Sequence, residues 1–94
     1  MSMTIQKLLA TLESGRVAAV SRREWSTLGR KFTESEAHET GIAGKLRLGR
    51  IGGRLVAVEE VEPDLFAVRP LPSAKAATRF VKARIDAYDR LWDG

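Results

Sequence analysis

The sequence predicts a small α+β domain: a three- to four-stranded antiparallel β-meander packed against N- and C-terminal helices. Three observations carry that expectation. Residues 73–94 place their charged side chains on one side of a helix turning about 100° per residue, and their apolar side chains on the other. Two runs, Lys45 to Ile51 and Arg54 to Val61, flank Gly52-Gly53, a pair suited to the positive φ angles of a two-residue hairpin turn. Near the N-terminus, Ile5, Leu8, Leu9 and Leu12 recur at i, i+3, i+4 and i+7, the spacing of one helical face.

The elements follow in order. Ser2 or Thr4 caps a helix over Thr4 to Glu13, and Gly15 supplies a left-handed residue that ends it. Arg16 to Val20 is a short apolar run suited to a buried strand. Ser21-Arg22-Arg23-Glu24 matches a capping box, and Trp25, Leu28 and Phe32 continue at helical spacing, with Gly29 interrupting. Thr33-Glu34-Ser35-Glu36 reads as a second capping box opening one or two helical turns that Gly41 stops. In the hairpin, Leu48 should face Ala57 and Leu46 should face Glu59. This puts Leu46, Leu48, Leu55 and Ala57 on one face, and Arg47, Ile51, Arg54, Val56 and Val58 on the other. Glu62-Pro63-Asp64 makes a second turn, Leu65 to Arg69 a further strand, Pro70 and Pro72 its end, and Ser73 the cap of the last helix. The leucine face of the hairpin is expected to pack on that helix and to hold most of the core.

Ninety-four residues without an internal repeat fit one domain, and a chain of this length buries only about 60–65% of its unfolded surface. The hydrophobic fraction of 44% and charged fraction of 30% argue against disorder. The absence of cysteine excludes disulfides and thiolate-held metals. No apolar run approaches the roughly 20 residues of a membrane span, and Met1 to Leu12 lacks the basic leader of a secretory signal. The expectation is a cytoplasmic protein with no membrane association. Sixteen Lys+Arg against twelve Asp+Glu give a net charge of +4 and a pI near 10.0, which raises nucleic acid as a partner.

Charge distribution sharpens that possibility. Lys45, Arg47, Arg50 and Arg54 fall in ten residues with no acid among them, around a glycine-rich tip able to approach phosphates; Arg22, Arg23, Arg30 and Lys31 lie upstream to join them. The competing reading is a solvated hairpin whose charges guard an edge, neutralised by Glu59, Glu60, Glu62 and Asp64. Gly49-Arg50-Ile51-Gly52 matches a GXXG loop only formally, because strand rather than helix follows. A helix-turn-helix over residues 33–51 fails on interior glycines and buried arginines.

The last helix has an apolar arc spanning about half its circumference, wider than one docking surface needs. Its central stripe is Ala74, Ala77, Val81, Ile85, Tyr88 and Trp92. Arg84 projects into the arc, with Phe80, Ala87 and Leu91 as neighbours, and these four form a candidate protein interface in which Arg84 meets a partner's carboxylate. Snorkelling at the core boundary is the plainer explanation of Arg84. Lys82–Asp86 and Asp86–Arg90 are spaced to pair at i, i+4. His38 is the sole histidine; with Glu34, Glu36 and Glu39 it offers at most a weak cation site, and no nucleophile elbow, P-loop or dinucleotide fingerprint occurs. No cofactor and no metal are expected.

The leading functional expectation is therefore a non-catalytic regulatory or accessory protein. It would bind RNA or DNA through the basic hairpin, and protein, as a homodimer, through the last helix. The alternative is a pure protein-interaction module (an inhibitor, an antitoxin-like protein or a complex subunit) without nucleic-acid contact. A small enzyme or metal-binding protein built on His38 ranks third.

Overall fold

The structure, a computed structural model, describes residues 3–39 and 45–93. In chain order the elements are α1 (Ile5–Glu13), β1 (Ala18–Ser21), α2 (Arg22–Leu28) with a 3-10 turn over Gly29–Lys31, β2 (Phe32–Glu39), β3 (Lys45–Ile51), β4 (Arg54–Glu62), β5 (Leu65–Pro70) and α3 (Ala74–Asp93). Local signals in the sequence account for most boundaries. The Thr4 hydroxyl accepts from the Lys7 amide to start α1, and Gly15, at φ +81°, follows its end. Ser21 and Glu24 form both hydrogen bonds of the capping box at α2. The Ser73 hydroxyl accepts from the Ala76 amide at 3.1 Å to start α3.

Among the described residues, five strands form one antiparallel sheet in the order β1-β5-β4-β3-β2. Strands β2 to β5 are a meander, and β1 adds to its β5 edge. The β3–β4 hairpin has the register its sequence implies, with Leu48 opposite Ala57 and Leu46 opposite Glu59. Gly52 and Gly53 turn it at φ +56° and +78°, angles that side chains with a Cβ adopt only at a cost.

Strand alternation gives the sheet two apolar faces. On one, Ala18, Val20, Ile51, Val56, Val58 and Val68 pack against Leu8 and Leu12 of α1 and Leu28 of α2. Trp25, Phe32 and Phe66 close this core's margin, with the Trp25 ring 5.6 Å from Phe32 and 6.0 Å from Phe66. On the other face, Leu46, Leu48 and Ala57 pack against Ala77 and Val81 of α3, with Leu55, Leu71, Phe80 and Ile85 partly buried around them. Of the largest fully buried side chains among the described residues, only Leu46 belongs to the α3 side.

Three expectations need correction. The sheet has five strands rather than three or four. Residues 33–39 are strand, not helix: β2 pairs along β3 from Phe32 opposite Ile51 to Glu39 opposite Lys45, with an irregularity at Ser35. Long-range pairing overrides the capping-box pattern because no apolar stripe follows Thr33 to hold a helix on the core. Gly41, expected to end that helix, lies outside the described residues. Finally, the larger core is under α1 and α2, not under α3.

Candidate functional site

Alternation decides where the hairpin cations go. Positions 45, 47, 49 and 51 of β3 point to the α1/α2 side, and 46, 48 and 50 to the α3 side. The four proposed nucleic-acid contacts thus do not form one patch. Arg47 lies toward the α1/α2 side, with Nε 3.5 Å from Glu34 Oε1. Arg54 shares that side, at the hairpin tip, its Nη2 3.9 Å from Glu13 Oε1 of α1. Arg50 is on the α3 side and donates from Nη1 to the Gly53 carbonyl at 3.1 Å. Lys45 stands at the opposite end of β3 from the tip, about 17 Å from Arg50 at strand rise. Arg47 and Arg54 remain available to other anions, since exposed ion pairs of this kind are worth about 0–1 kcal/mol.

What the fold does bring together is a basic end. Phe32 pairs with Ile51, so Arg30 and Lys31 of the preceding 3-10 turn lie beside the hairpin tip with Arg50 and Arg54. The Leu71 amide donates to the Leu55 carbonyl at 3.0 Å, which sets Ser73 and the first turn of α3, including Lys75, at the same end. The other end of β4 carries Glu59, Glu60, Glu62 and the neighbouring Asp64. There Arg22 reaches Glu60 at 2.8 Å, Asp64 at 3.3 Å and the Pro63 carbonyl at 2.7 Å. Three of the acids expected to neutralise the hairpin cations, Glu59, Glu60 and Asp64, instead engage Arg84 and Arg22 at the far end. Lys75 was not singled out from the sequence, because its proximity depends on how α3 is docked.

On α3, Phe80 is partly buried, with the guanidinium carbons of Arg69 and Arg84 at 5.0 and 4.8 Å from its ring centroid. Arg84 finds its carboxylate within the chain: Nε lies 3.0 Å from Glu59 Oε2, and Nη2 donates to Oε1 at 3.2 Å. Within the chain this is a pairing at the core boundary. Ala87 is exposed, as is Ala83 one turn before it. The Leu91 and Trp92 side chains lie outside the described residues. Neither Lys82–Asp86 nor Asp86–Arg90 is among the ion pairs of the described residues.

His38 and Glu36 both face α3, and His38 Nε2 is 3.0 Å from Glu36 Oε2. The irregularity at Ser35 turns Glu34 to the opposite side, toward Arg47. That divides the acidic cluster considered as a cation site, and among the described residues no group of three His, Asp or Glu side chains is gathered to hold a metal. Glu24 caps α2 and ties it to the N-terminal segment. Hydrogen bonds from the Met3 amide and then from Ser21 hold its carboxyl below the usual range. Trp25 serves as a core anchor. Among the described residues no helix is long and apolar enough to cross a membrane.

No protein-family model matches the chain, and neither the curated proteins nor the solved structures provide a match.

Proposed function

We propose that this is a non-catalytic cytoplasmic binding protein that docks a polyanion, RNA or DNA, at its basic end. One observation carries the reading: the hairpin tip gathers cations, whereas the acids of β4 and its following turn lie at the other end, where Arg22 and Arg84 engage them and Lys45 stands. Arg30, Lys31, Arg50, Arg54 and Lys75 gather at the tip, opposed there by Glu13, while Glu59, Glu60, Glu62 and Asp64 sit at the other end. A phosphate backbone approaching the tip meets cations from both sheet faces and then recedes from the acids, which favours one orientation. Contacts of this kind position a nucleic acid without reading its bases.

Fluorescence anisotropy with a generic duplex tests the proposal. Affinity should fall steeply with salt, and the slope of log K against log salt should shrink by about 1 for each phosphate-contacting cation removed. The double variant Arg50→Gln/Arg54→Gln should therefore lose about 2 from the slope, whereas Lys45→Gln should leave it unchanged. Absence of binding at low salt would eliminate the reading.

A protein contact through α3 is proposed beside it, with a second copy of the chain as partner. It is supported by the exposed Ala83 and Ala87, successive small apolar residues one turn apart on α3 and bordered by Arg79, Arg84 and Arg90. Sedimentation should then detect a dimer that Ala87→Glu dissociates; Arg84→Glu is a poor probe because it breaks the pair with Glu59. If the protein binds no nucleic acid yet dimerises, the pure interaction module is the reading that remains.

A further inference from the structure

We propose that the groove between α3 and the β2–β3 half of the sheet binds a small amphiphilic carboxylate, with its apolar body along the groove and its anionic head at Arg50. The groove originates in residue size. Where α3 faces β3 it presents Ala74, Ala77 and Thr78, too short to reach the sheet's outer strand, and β2 offers Ser35, Glu36 and His38 rather than apolar filling. A hollow of about 480 Å³ remains. Its apolar surface comes from Leu48, Leu55, Ala77, Val81 and Ile85. At the hairpin end it adjoins a second hollow of about 310 Å³, the two sharing Arg50, Leu55 and Ala74. Both volumes fall in the range of small-molecule sites, which pair apolar walls with a few placed polar groups.

Charge identifies the occupant's head. The groove's one acid, Glu36, is engaged by His38 at 3.0 Å. Its two cations, Arg50 and Lys82, have no carboxylate within 4 Å among the described residues. The lining therefore has surplus positive charge above an apolar floor, and an anion-headed amphiphile satisfies both. The head belongs at Arg50 because the adjoining hollow beyond it is walled by Gly53, Arg54 and Ser73, giving a polar group room and partners. A nucleobase suits the groove poorly: none of its lining residues is Phe, Tyr or Trp, its one ring, His38, is held by Glu36, and single-strand recognition relies on stacking.

Octanoate is the probe, titrated into the isotope-labelled full chain and followed by amide chemical shifts, with octanamide as its uncharged counterpart. Saturable shifts should centre on Leu48, Leu55, Ala77 and Val81, and octanoate should bind about tenfold more tightly than octanamide. Arg50→Gln should remove that preference while leaving octanamide binding unchanged. Thr78→Phe, an exposed change at the groove wall, should weaken both ligands. Because both sites substituted are exposed, a folded variant is expected, and its amide spectrum verifies this. Equal affinity for the two ligands, retention of the octanoate preference in Arg50→Gln, shifts centred elsewhere, or no saturation would each overturn the assignment. Failure here leaves the salt-dependent duplex binding as an independent question.

Discussion

The side of the sheet under α1 and α2 brings leucine, isoleucine and valine together with no exposed margin at Leu8, Val20, Ile51, Val56 and Val68, whereas the side under α3 is closed by Ala77 and Val81 and opens into a groove. Yet α3 is the longer helix and has the wider apolar arc. The difference lies in what composes the arc: Ala74, Ala76, Ala77, Ala83 and Ala87 fill positions where α1 spends Ile5, Leu8, Leu9 and Leu12. Burial free energy follows apolar area, at about 25 cal/mol per Å², so alanines widen an arc while adding little to a core. A broad amphipathic face is therefore a guide to orientation more than to stability.

The largest expected effect comes from Gly49, which faces the dense side. A Cβ there would lie 2.1 Å from the Thr33 carbonyl oxygen and 2.7 Å from the Phe32 ring. Because the nearest atom belongs to the backbone of β2, relief requires moving that strand. Gly49→Ala should destabilise the protein by about 3 kcal/mol in denaturant unfolding. Thr78→Phe, which adds far more volume on the open side, should cost less than about 0.5 kcal/mol. Similar losses for the two would erase the contrast between the faces.

A second pair grades the same contrast. Leu12 is 1% exposed between α1 and the sheet, so Leu12→Ala leaves a cavity that its surroundings cannot fill; about 3 kcal/mol is expected. Val81 is 8% exposed and borders the groove, so Val81→Ala should lose only transfer free energy, about 1 kcal/mol, with water entering the space. Native-state hydrogen exchange offers an independent check. Amides of α3 should exchange through openings less costly than global unfolding, while those of α1 and β4 should require it. Uniform protection across all three would show that α3 is as firmly held as the other helices.

These particulars also show what was legible in the sequence. The β3–β4 hairpin was, register included, because a glycine pair and two alternating runs are local features. So were the helix caps at Ser21 and Ser73, while at the start of α1 Thr4 was one of two candidates beside Ser2. Strand β2 was not, because its residues after Phe32 are, Ala37 apart, polar on both faces and its partner is supplied from elsewhere in the chain. Thr33-Glu34-Ser35-Glu36 then imitates a helix start that nothing downstream supports. A signal did exist in Gly49: a glycine inside a strand marks the close approach of another backbone, here Thr33. The basic end was half legible, since Arg50 and Arg54 flank the tip in sequence, whereas Lys75 arrives only through the docking of α3. The groove was not legible at all, for it is made of side chains that fail to meet.

The smallest effect separates the two faces by acidity. On the dense side, Glu24 accepts from the Met3 amide and from the Ser21 amide at 3.0 Å, tying the N-terminal segment to the start of α2. On the open side, α3 begins with the same serine cap, but alanine, Ala76, occupies the position equivalent to Glu24. A carboxyl whose pKa is lowered by folding contributes stability fully above its unfolded pKa, and loses it as pH falls through the folded value. Wild type should thus exceed Glu24→Gln in stability at neutral pH. That gap should narrow as pH falls below the ordinary carboxylate value of 4.5 and vanish once Glu24 is protonated. Ser73→Ala should instead cost about 1 kcal/mol at every pH, because no titrating group completes that cap. Denaturant unfolding of both variants from neutral to acidic pH reads the difference directly. A Glu24→Gln gap that persists undiminished in acid would overturn the assignment to charge, because glutamine keeps the same carbon chain and differs only in replacing one of the two accepting oxygens with an amide nitrogen.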